Sequence, residues 1–261
     1  MNLKKIKRRI RYILEFRFLP NVSMFLFNNE TWLRLLPLKR FFQFVDPNKR
    51  IIDIGAGIGS LELALNRTDI FIYDIDRVSI DIAKQNFKNT VVGTGSKINF
   101  EDDAFDWAIS IHTLEHIPKN EREQFILEMI RISKEGVFLN FPEGKYAEVL
   151  CKNFLNTLEK NGLPPNKWTL EHLELGLPTV EEVNSILKKQ NKFLFKYKLI
   201  RNYKAENIYW TRMRTSNSIL FKYFTSPLFA LYKYANINRK PTIEMILVGS
   251  KNYNSLNDIL N

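Results

Sequence analysis

The chain has one cysteine and three histidines among its 261 residues, and it has no long apolar run. The single Cys151 excludes an internal disulfide and fits a reducing compartment. No stretch reaches the roughly 20 apolar residues that a membrane-spanning helix needs. Glu15 and Arg17 interrupt anything like the apolar centre of a secretory signal. These absences predict a cytoplasmic protein, long enough to bury a full core as one domain with additions.

Positive charge is concentrated in two segments. Residues 1–50 carry 12 basic and 3 acidic side chains, residues 191–241 carry 11 and 1, and residues 51–190 carry 15 and 22. The basic segments are also rich in aromatic residues, so they indicate an anionic partner. Because both are strongly apolar and no RNA-binding module is recognisable, an anionic membrane surface is expected and nucleic acid is not. We therefore expect a peripheral position at the inner face of the membrane.

The most informative segment is residues 51–65, where IIDI precedes GAGIG and the amphipathic SLELAL. This order predicts a buried strand, a tight turn and a helix. Glycines in such a turn let a ligand approach the backbone closely. Asp53 is unusual in a buried strand because an unpaired carboxylate there is costly. It needs a donor, either loop N–H groups or a ligand.

A second predicted strand, residues 70–74, ends in Asp74, nineteen positions after Gly55. An acid at about that distance can accept hydrogen bonds from ribose hydroxyls. Asp76 is placed to cap the helix that follows. The dinucleotide fingerprint would require Gly or Ala at position 60, where this chain has Ser60, so a nicotinamide-dependent reductase is disfavoured.

The pattern D-x-G-x-G-x-G at 53–59, the acid-ended strand, and the block 100–110 followed by HTLEHIP at 112–118 occur together. This combination resembles the class I S-adenosylmethionine-dependent methyltransferases, in the methyltransferase type 11 branch. The resemblance covers residues 50–142 and, more loosely, 178–202 and 242–250. It implies S-adenosylmethionine as the cofactor. The cofactor-binding residues expected from it are Asp53, Gly55, Ala56, Gly57, Gly59, Asp74, Ile75, Thr94 and His112.

The chain departs from the family after its third strand. The family often has an Asp there that binds the adenine amino group, whereas this chain has Thr94. Adenine recognition is then left to Thr94 or to backbone groups.

The alternation of predicted strands and helices indicates a parallel sheet covered on both faces. We expect a Rossmann-like, doubly wound α/β fold of seven strands, the last pair antiparallel as the resemblance implies. The strands are predicted near 50–54, 70–74, 90–93, 106–111, 136–141, 193–200 and 243–249, and helices near 60–66, 77–87 and 119–133.

Additions surround this domain. Residues 1–49 are expected to form a basic arm with an amphipathic helix over 3–18, and residues 50–261 the methyltransferase domain. Insertions are expected at 143–178 and 207–241, the latter broken by Lys222 and Pro227 into two short helices. That basic, aromatic segment suits a lid over the acceptor, a membrane-surface helix pair, or packing against the arm.

The candidate catalytic residues are His112, His116 and His172, since histidine can take a proton from an acceptor near neutral pH. The alternative for each is a local hydrogen bond. The pair Glu115 and His116 alone is too little to predict a metal, so none is expected.

The sequence thus predicts an S-adenosylmethionine-dependent methyltransferase acting on a small-molecule, glycan or lipid-linked acceptor, with O-methylation as the first expectation. The alternative is a catalytically inactive methyltransferase-like module that binds a membrane or a partner, which Thr94 supports.

Overall fold

A seven-stranded sheet in the order β3-β2-β1-β4-β5-β7-β6 organises the protein. The structure is a computed structural model that describes residues 29–213, 215–216 and 219–260. The strands are β1 (Ile51–Ile54), β2 (Phe71–Asp74), β3 (Thr90–Val92), β4 (Phe105–Ile111), β5 (Ser133–Pro142), β6 (Leu194–Asn202) and β7 (Thr242–Ser250). Because β7 runs antiparallel to both β5 and β6 while the other pairs are parallel, the predicted fold is confirmed.

Helices cover both faces of the sheet. They are α1 (Asn29–Phe44), α2 (Ser60–Ala64), α3 (Arg77–Ala83), α4 (Arg122–Ile132), α5 (Gly144–Lys160), α6 (Lys167–Leu175), α7 (Val180–Leu187), α8 (Tyr203–Ile208), α9 (Ile219–Ala235) and α10 (Tyr253–Leu260). The expected cap of α3 is confirmed, since Asp76 accepts a 3.2 Å hydrogen bond from the Val78 amide. Among the described helices, none is both long and apolar enough to cross a membrane.

Side chains of alternate residues along β1 enter two separate cores, one on each face of the sheet. Ile52 and Ile54 pack with Phe125 of α4, whereas Ile51 packs with Phe41 of α1. The Phe41 ring lies 5.2 Å from the Trp107 ring, centre to centre. The later part of the predicted arm is therefore a helix on the sheet. The amphipathic helix predicted over 3–18 lies outside the described residues.

The strand order reverses between β1 and β4. From β1 the chain continues outwards through β2 and β3, and from β4 it continues the other way through β5. Open α/β sheets bind ligands beyond the carboxyl ends of the strands at such a point. The turn after β1 and the turn after β4 therefore border one crevice.

The two insertions are helical. The 143–178 segment forms α5 and α6, and α6 lies against the one-turn helix Leu114–His116. The prediction of two short helices within 207–241 was wrong, because α9 runs as one helix through Pro227. A proline removes one backbone hydrogen bond, and packing of neighbouring turns can still hold a helix.

Candidate active site

The loop Gly55–Gly59 folds back over the end of β2. The amides of Gly55 and Ala56 both donate to the Tyr73 carbonyl oxygen, at 2.8 and 3.3 Å. Three glycines make this path possible, with φ values of 82° at Gly55, 61° at Gly57 and 72° at Gly59. Residues other than glycine rarely adopt such φ values.

The three glycines have different surroundings. A Cβ atom at Gly55 would lie 2.3 Å from Oγ1 of Thr113, and one at Gly59 would lie 2.4 Å from the Phe87 ring. A Cβ at Gly57 would meet no atom of the described residues within 4 Å. Gly55 and Gly59 thus permit close packing within the protein, and Gly57 faces open space.

Asp74 points back to this loop. Its Oδ2 accepts a 2.7 Å hydrogen bond from the Gly57 amide, and its Oδ1 accepts one of 2.7 Å from the Asp76 amide. Each carboxylate oxygen has two lone pairs, so both retain the capacity to accept a ligand hydroxyl. Ile75, the next residue along the chain, is 74% exposed at the same edge of the sheet.

Asp53 does not reach the crevice surface. It is buried together with Glu62 of α2, and Asp53 Oδ1 and Glu62 Oε1 have no hydrogen-bond partner among the described residues. Burial raises the pKa of both carboxyl groups, and the neighbouring negative charge of Glu62 raises that of Asp53 further. The two carboxyl groups therefore form a coupled pair beneath the loop, in which the protonated form of each is favoured. Glu62 was missed in the sequence, although it falls at a buried position of a helix packed on the sheet.

Thr94 is an exposed residue after β3. Its Oγ1 lies 3.0 Å from the Ser96 hydroxyl, and its carbonyl oxygen accepts a 3.0 Å hydrogen bond from the Tyr73 hydroxyl. The loop after β3 is thus tied to the end of β2, beside Asp74.

His112 lies in the turn after β4 with a φ of 52°, and its side chain is buried. Nδ1 lies 3.2 Å from Oε1 of Glu115, and Nε2 lies 3.5 Å from Oε1 of Glu244. Burial by itself raises the pKa of Glu115, but hydrogen bonding and charge from His112, with His116 and His172, lower it to about 2. His112 is therefore placed between two carboxylates.

A buried ionic chain continues from Glu244 to the insertion before β7. Glu244 accepts 2.7 Å hydrogen bonds from Asn140 and Arg201. Arg201 also pairs with Glu206 at 2.9 Å, and Glu206 pairs with Lys233 of α9 at 2.9 Å. This series of ion pairs links the turn after β4 to α9 through groups that are almost fully buried.

The other two histidines contact each other next to the turn after β4. Helix α6 brings His172 over the turn after β4, so that its Nε2 lies 3.4 Å from Nε2 of His116. Nδ1 of His116 lies 3.3 Å from Oε1 of Glu171. Burial lowers the pKa of His172, and the charges of His116, His112 and Arg34 lower it further, whereas the charge of Glu115 raises it. The resulting pKa is about 4. His172 is therefore neutral at pH 7.

Most of the predicted site residues follow the carboxyl ends of neighbouring strands. The glycines follow β1, Asp74 and Ile75 lie at the end of β2, Thr94 follows β3, and His116 follows β4, where it contacts His172 of α6. The side chains of Asp53 and His112 are buried. A glycine loop after β1, an acid at the end of β2 and a switch point between β1 and β4 are typical of α/β domains that bind a nucleotide cofactor.

Comparisons with known proteins narrow this class. The family described as "Methyltransferase domain" matches residues 52–141. Ajmaline N-methyltransferase of Rauvolfia serpentina is 32% identical over 109 residues, which cover 35% of this chain and 35% of that protein. The chain thus aligns with about a third of the length of this curated relative.

Solved structures show the same fold. A SAM-dependent methyltransferase from Thermotoga maritima matches with a TM-score of 0.55 and 16% identity, over 95% of this chain and 96% of that one. Magnesium protoporphyrin IX methyltransferase from Synechocystis PCC 6803, with bound SAH, matches with a TM-score of 0.52 and 15% identity, over 94% and 100%. Residues 52–141 match the methyltransferase domain family, and the cofactor that this match implies is S-adenosylmethionine.

The residues present fit this cofactor. The open space at Gly57 admits a ligand against the loop backbone, and Asp74 has lone pairs for two ribose hydroxyls. The exposed Ile75 offers an apolar contact for a base. When bound, S-adenosylmethionine supplies a methyl group activated by a positively charged sulfur.

Proposed function

We propose that the chain transfers the methyl group of S-adenosylmethionine to a small-molecule, glycan or lipid-linked acceptor, with an oxygen atom as the first candidate. The observation that carries the proposal is the Asp74 carboxylate, held by the Gly57 amide beside open space. This arrangement supports a ribose seated on the carboxylate with the rest of the cofactor against the loop.

The protein's main contribution would be alignment of the acceptor with the methyl group, which can supply several kcal/mol. His116 and His172 are the candidates to contact the acceptor, since His116 follows β4 at the switch point and His172 contacts it. His112 would serve as a positioning residue, because it lies between Glu115 and Glu244 and is buried.

The proposed acceptor classes are separated by a transfer assay. Protein and S-adenosylmethionine carrying a carbon-13 methyl group are incubated with polar metabolites, with glycans and with a lipid extract in separate reactions. The proposal expects label in one pool, and the methyl chemical shift then distinguishes oxygen from nitrogen. Label in none of the three pools, with cofactor binding intact, would contradict catalysis on these acceptors.

Association with an anionic membrane surface is part of the proposal. Helix α9 exposes Leu228, Leu231 and Tyr232, which share one face at helical spacing. The exposed cations Arg239 and Lys240 follow the helix. An apolar stripe beside basic residues suits the boundary between lipid headgroups and acyl chains.

One observation favours a second candidate, a methyltransferase-like module without catalysis. Thr94, exposed where the family often has the adenine-binding acid, removes one expected contact with the cofactor. This candidate predicts that Gly57→Arg leaves membrane attachment and the cellular role intact. Loss of the cellular role in Gly57→Arg protein that still binds membranes would refute it.

A further inference from the structure

All three histidines of the chain come together around Glu115, although two follow β4 and one lies on α6. Nε2 of His116 faces Nε2 of His172 at 3.4 Å, and Oε1 of Glu115 lies 4.0 Å from the same His116 nitrogen. Each of these three side chains has a ligand atom within 4.8 Å of the other two. The sequence places only Glu115 and His116 next to each other, and the fold brings His172 to them.

The far nitrogens of both rings each face a side chain that can accept a hydrogen bond. Nδ1 of His116 faces Glu171 at 3.3 Å, and Nδ1 of His172 lies 3.9 Å from Sγ of Cys151. If each Nδ1 carries the proton for these contacts, both Nε2 lone pairs point into the space between the rings. Facing lone pairs repel, and a cation between them removes the repulsion. Two nitrogens that bind the same tetrahedral zinc ion, each at about 2.05 Å, lie roughly 3.3 Å apart.

Glu115 provides an independent observation. It is 1% exposed, and its Oε2 is buried without a hydrogen-bond partner in the part of the chain that the structure describes. Its other oxygen, Oε1, lies 3.2 Å from Nδ1 of His112. A buried carboxylate oxygen without a partner is costly, and a bound metal ion would compensate for it.

We propose that Glu115, His116 and His172 bind one divalent transition-metal ion, of which Zn²⁺ is the first candidate. Imidazole and carboxylate ligands suit zinc, and three protein ligands leave a tetrahedral position open, as in catalytic zinc sites. Glu171 acts as the outer carboxylate that orients the His116 ring.

The open position receives the acceptor atom, a role that rests on the proposed methyl transfer. A hydroxyl bound there releases its proton to solvent more readily. Its oxygen then forms the bond to the methyl carbon, while the carbon–sulfur bond breaks and its electron pair stays on sulfur. Metal binding itself does not depend on this step.

The test titrates the metal-depleted full chain with Co²⁺, read by visible absorption, and with Zn²⁺, read by calorimetry. We expect one equivalent bound, at least a 100-fold loss of affinity in His172→Ala, and a 10- to 100-fold loss in Glu171→Gln. Glu174→Gln is the matched control, since Glu174 is an exposed acid on the same helix, and its affinity should stay unchanged. Binding of S-adenosylhomocysteine by each variant checks its fold and separately tests the cofactor site.

Failure of the wild-type chain to bind Co²⁺ or Zn²⁺ saturably would overturn the metal site. Equal metal affinity in wild type and Glu171→Gln would also overturn it. This comparison settles the question in the case that His172→Ala does not fold. Metal binding without cofactor binding would contradict the proposed function alone. A transfer rate that is unchanged after the metal is removed would overturn only the acceptor role.

Discussion

The amide of Gly57 donates a 2.7 Å hydrogen bond to Oδ2 of Asp74, and so joins the loop after β1 to the end of β2. The two lie seventeen positions apart along the chain. The contact fixes the carboxylate at the edge of the crevice and sets the loop backbone beside it. The cofactor proposal depends on this pair.

Replacing Asp74 with Asn removes the charge and one acceptor for the ribose. We expect S-adenosylhomocysteine to bind about 10- to 100-fold more weakly, because hydrogen bonds to charged groups contribute about 1.5–3 kcal/mol. Isothermal titration calorimetry measures the change. Asp81→Asn is the control, since Asp81 is a partly exposed acid on α3 that pairs with Lys84 at 3.4 Å. Equal affinities in the two variants would refute the ribose contact.

Gly57→Leu tests whether the space at the loop is the cofactor's. Gly162→Leu is the matched control, because Gly162 has a φ of 62° against 61° at Gly57. An added Cβ would meet no atom of the described residues within 4 Å at either glycine. Both substitutions should cost about 1–2 kcal/mol of stability from left-handed backbone strain. Thermal unfolding should therefore change alike in both, and only Gly57→Leu should abolish binding of S-adenosylhomocysteine. Normal binding by Gly57→Leu would place the cofactor elsewhere.

The buried pair of Asp53 and Glu62 should make stability depend on pH. Burial raises both pKa values above the unfolded values of 3.8 and 4.5. The contribution of the pair is then full below those values and is lost as the pH rises through the folded pKa values. Glu62→Gln removes one titrating group, so its melting temperature should fall less than that of wild type between pH 5 and pH 8.

Thermal unfolding across this range measures the effect. Glu148→Gln, which changes a partly exposed acid on α5, should keep the wild-type dependence. If Glu62→Gln also keeps it, the two carboxyl groups do not share a proton in the folded protein.

Sequence reasoning found the sheet because its signals are local. Apolar runs ending in glycine or acid marked β1 and β2, and Asp76 marked the start of α3. The glycine loop and Asp74 could be placed together because the ends of parallel strands meet at one edge of a sheet.

The partners of the histidines could not be found in this way. Glu244 reaches His112, and Arg201 reaches Glu244, from an antiparallel pair more than eighty positions further along the chain. Local pattern carries no information on these contacts. His172 meets His116 only because α5 and α6 fold back over the turn after β4. Pro227 misled the prediction of α9, since tertiary packing outweighed a local helix-breaking signal.

The exposed face of α9 should determine membrane attachment. Leu228→Glu together with Leu231→Glu should reduce co-sedimentation with anionic liposomes by about tenfold or more, because apolar area no longer enters the interface. Higher ionic strength should weaken attachment as well, since the attraction between basic residues and lipid is screened. Deletion of residues 1–18 should act in the same direction.

Leu194→Glu serves as the control for this face, because Leu194 is 56% exposed on β6. It should leave sedimentation unchanged. Sedimentation that responds to neither salt nor the α9 substitutions would remove the membrane from the proposal.

Calorimetric titration of the wild-type chain with S-adenosylmethionine and S-adenosylhomocysteine tests the central claim most directly. We predict one site per chain for each compound, with affinity reduced by Asp74→Asn. Absence of binding at millimolar concentrations of both compounds would contradict the assignment of the crevice to this cofactor.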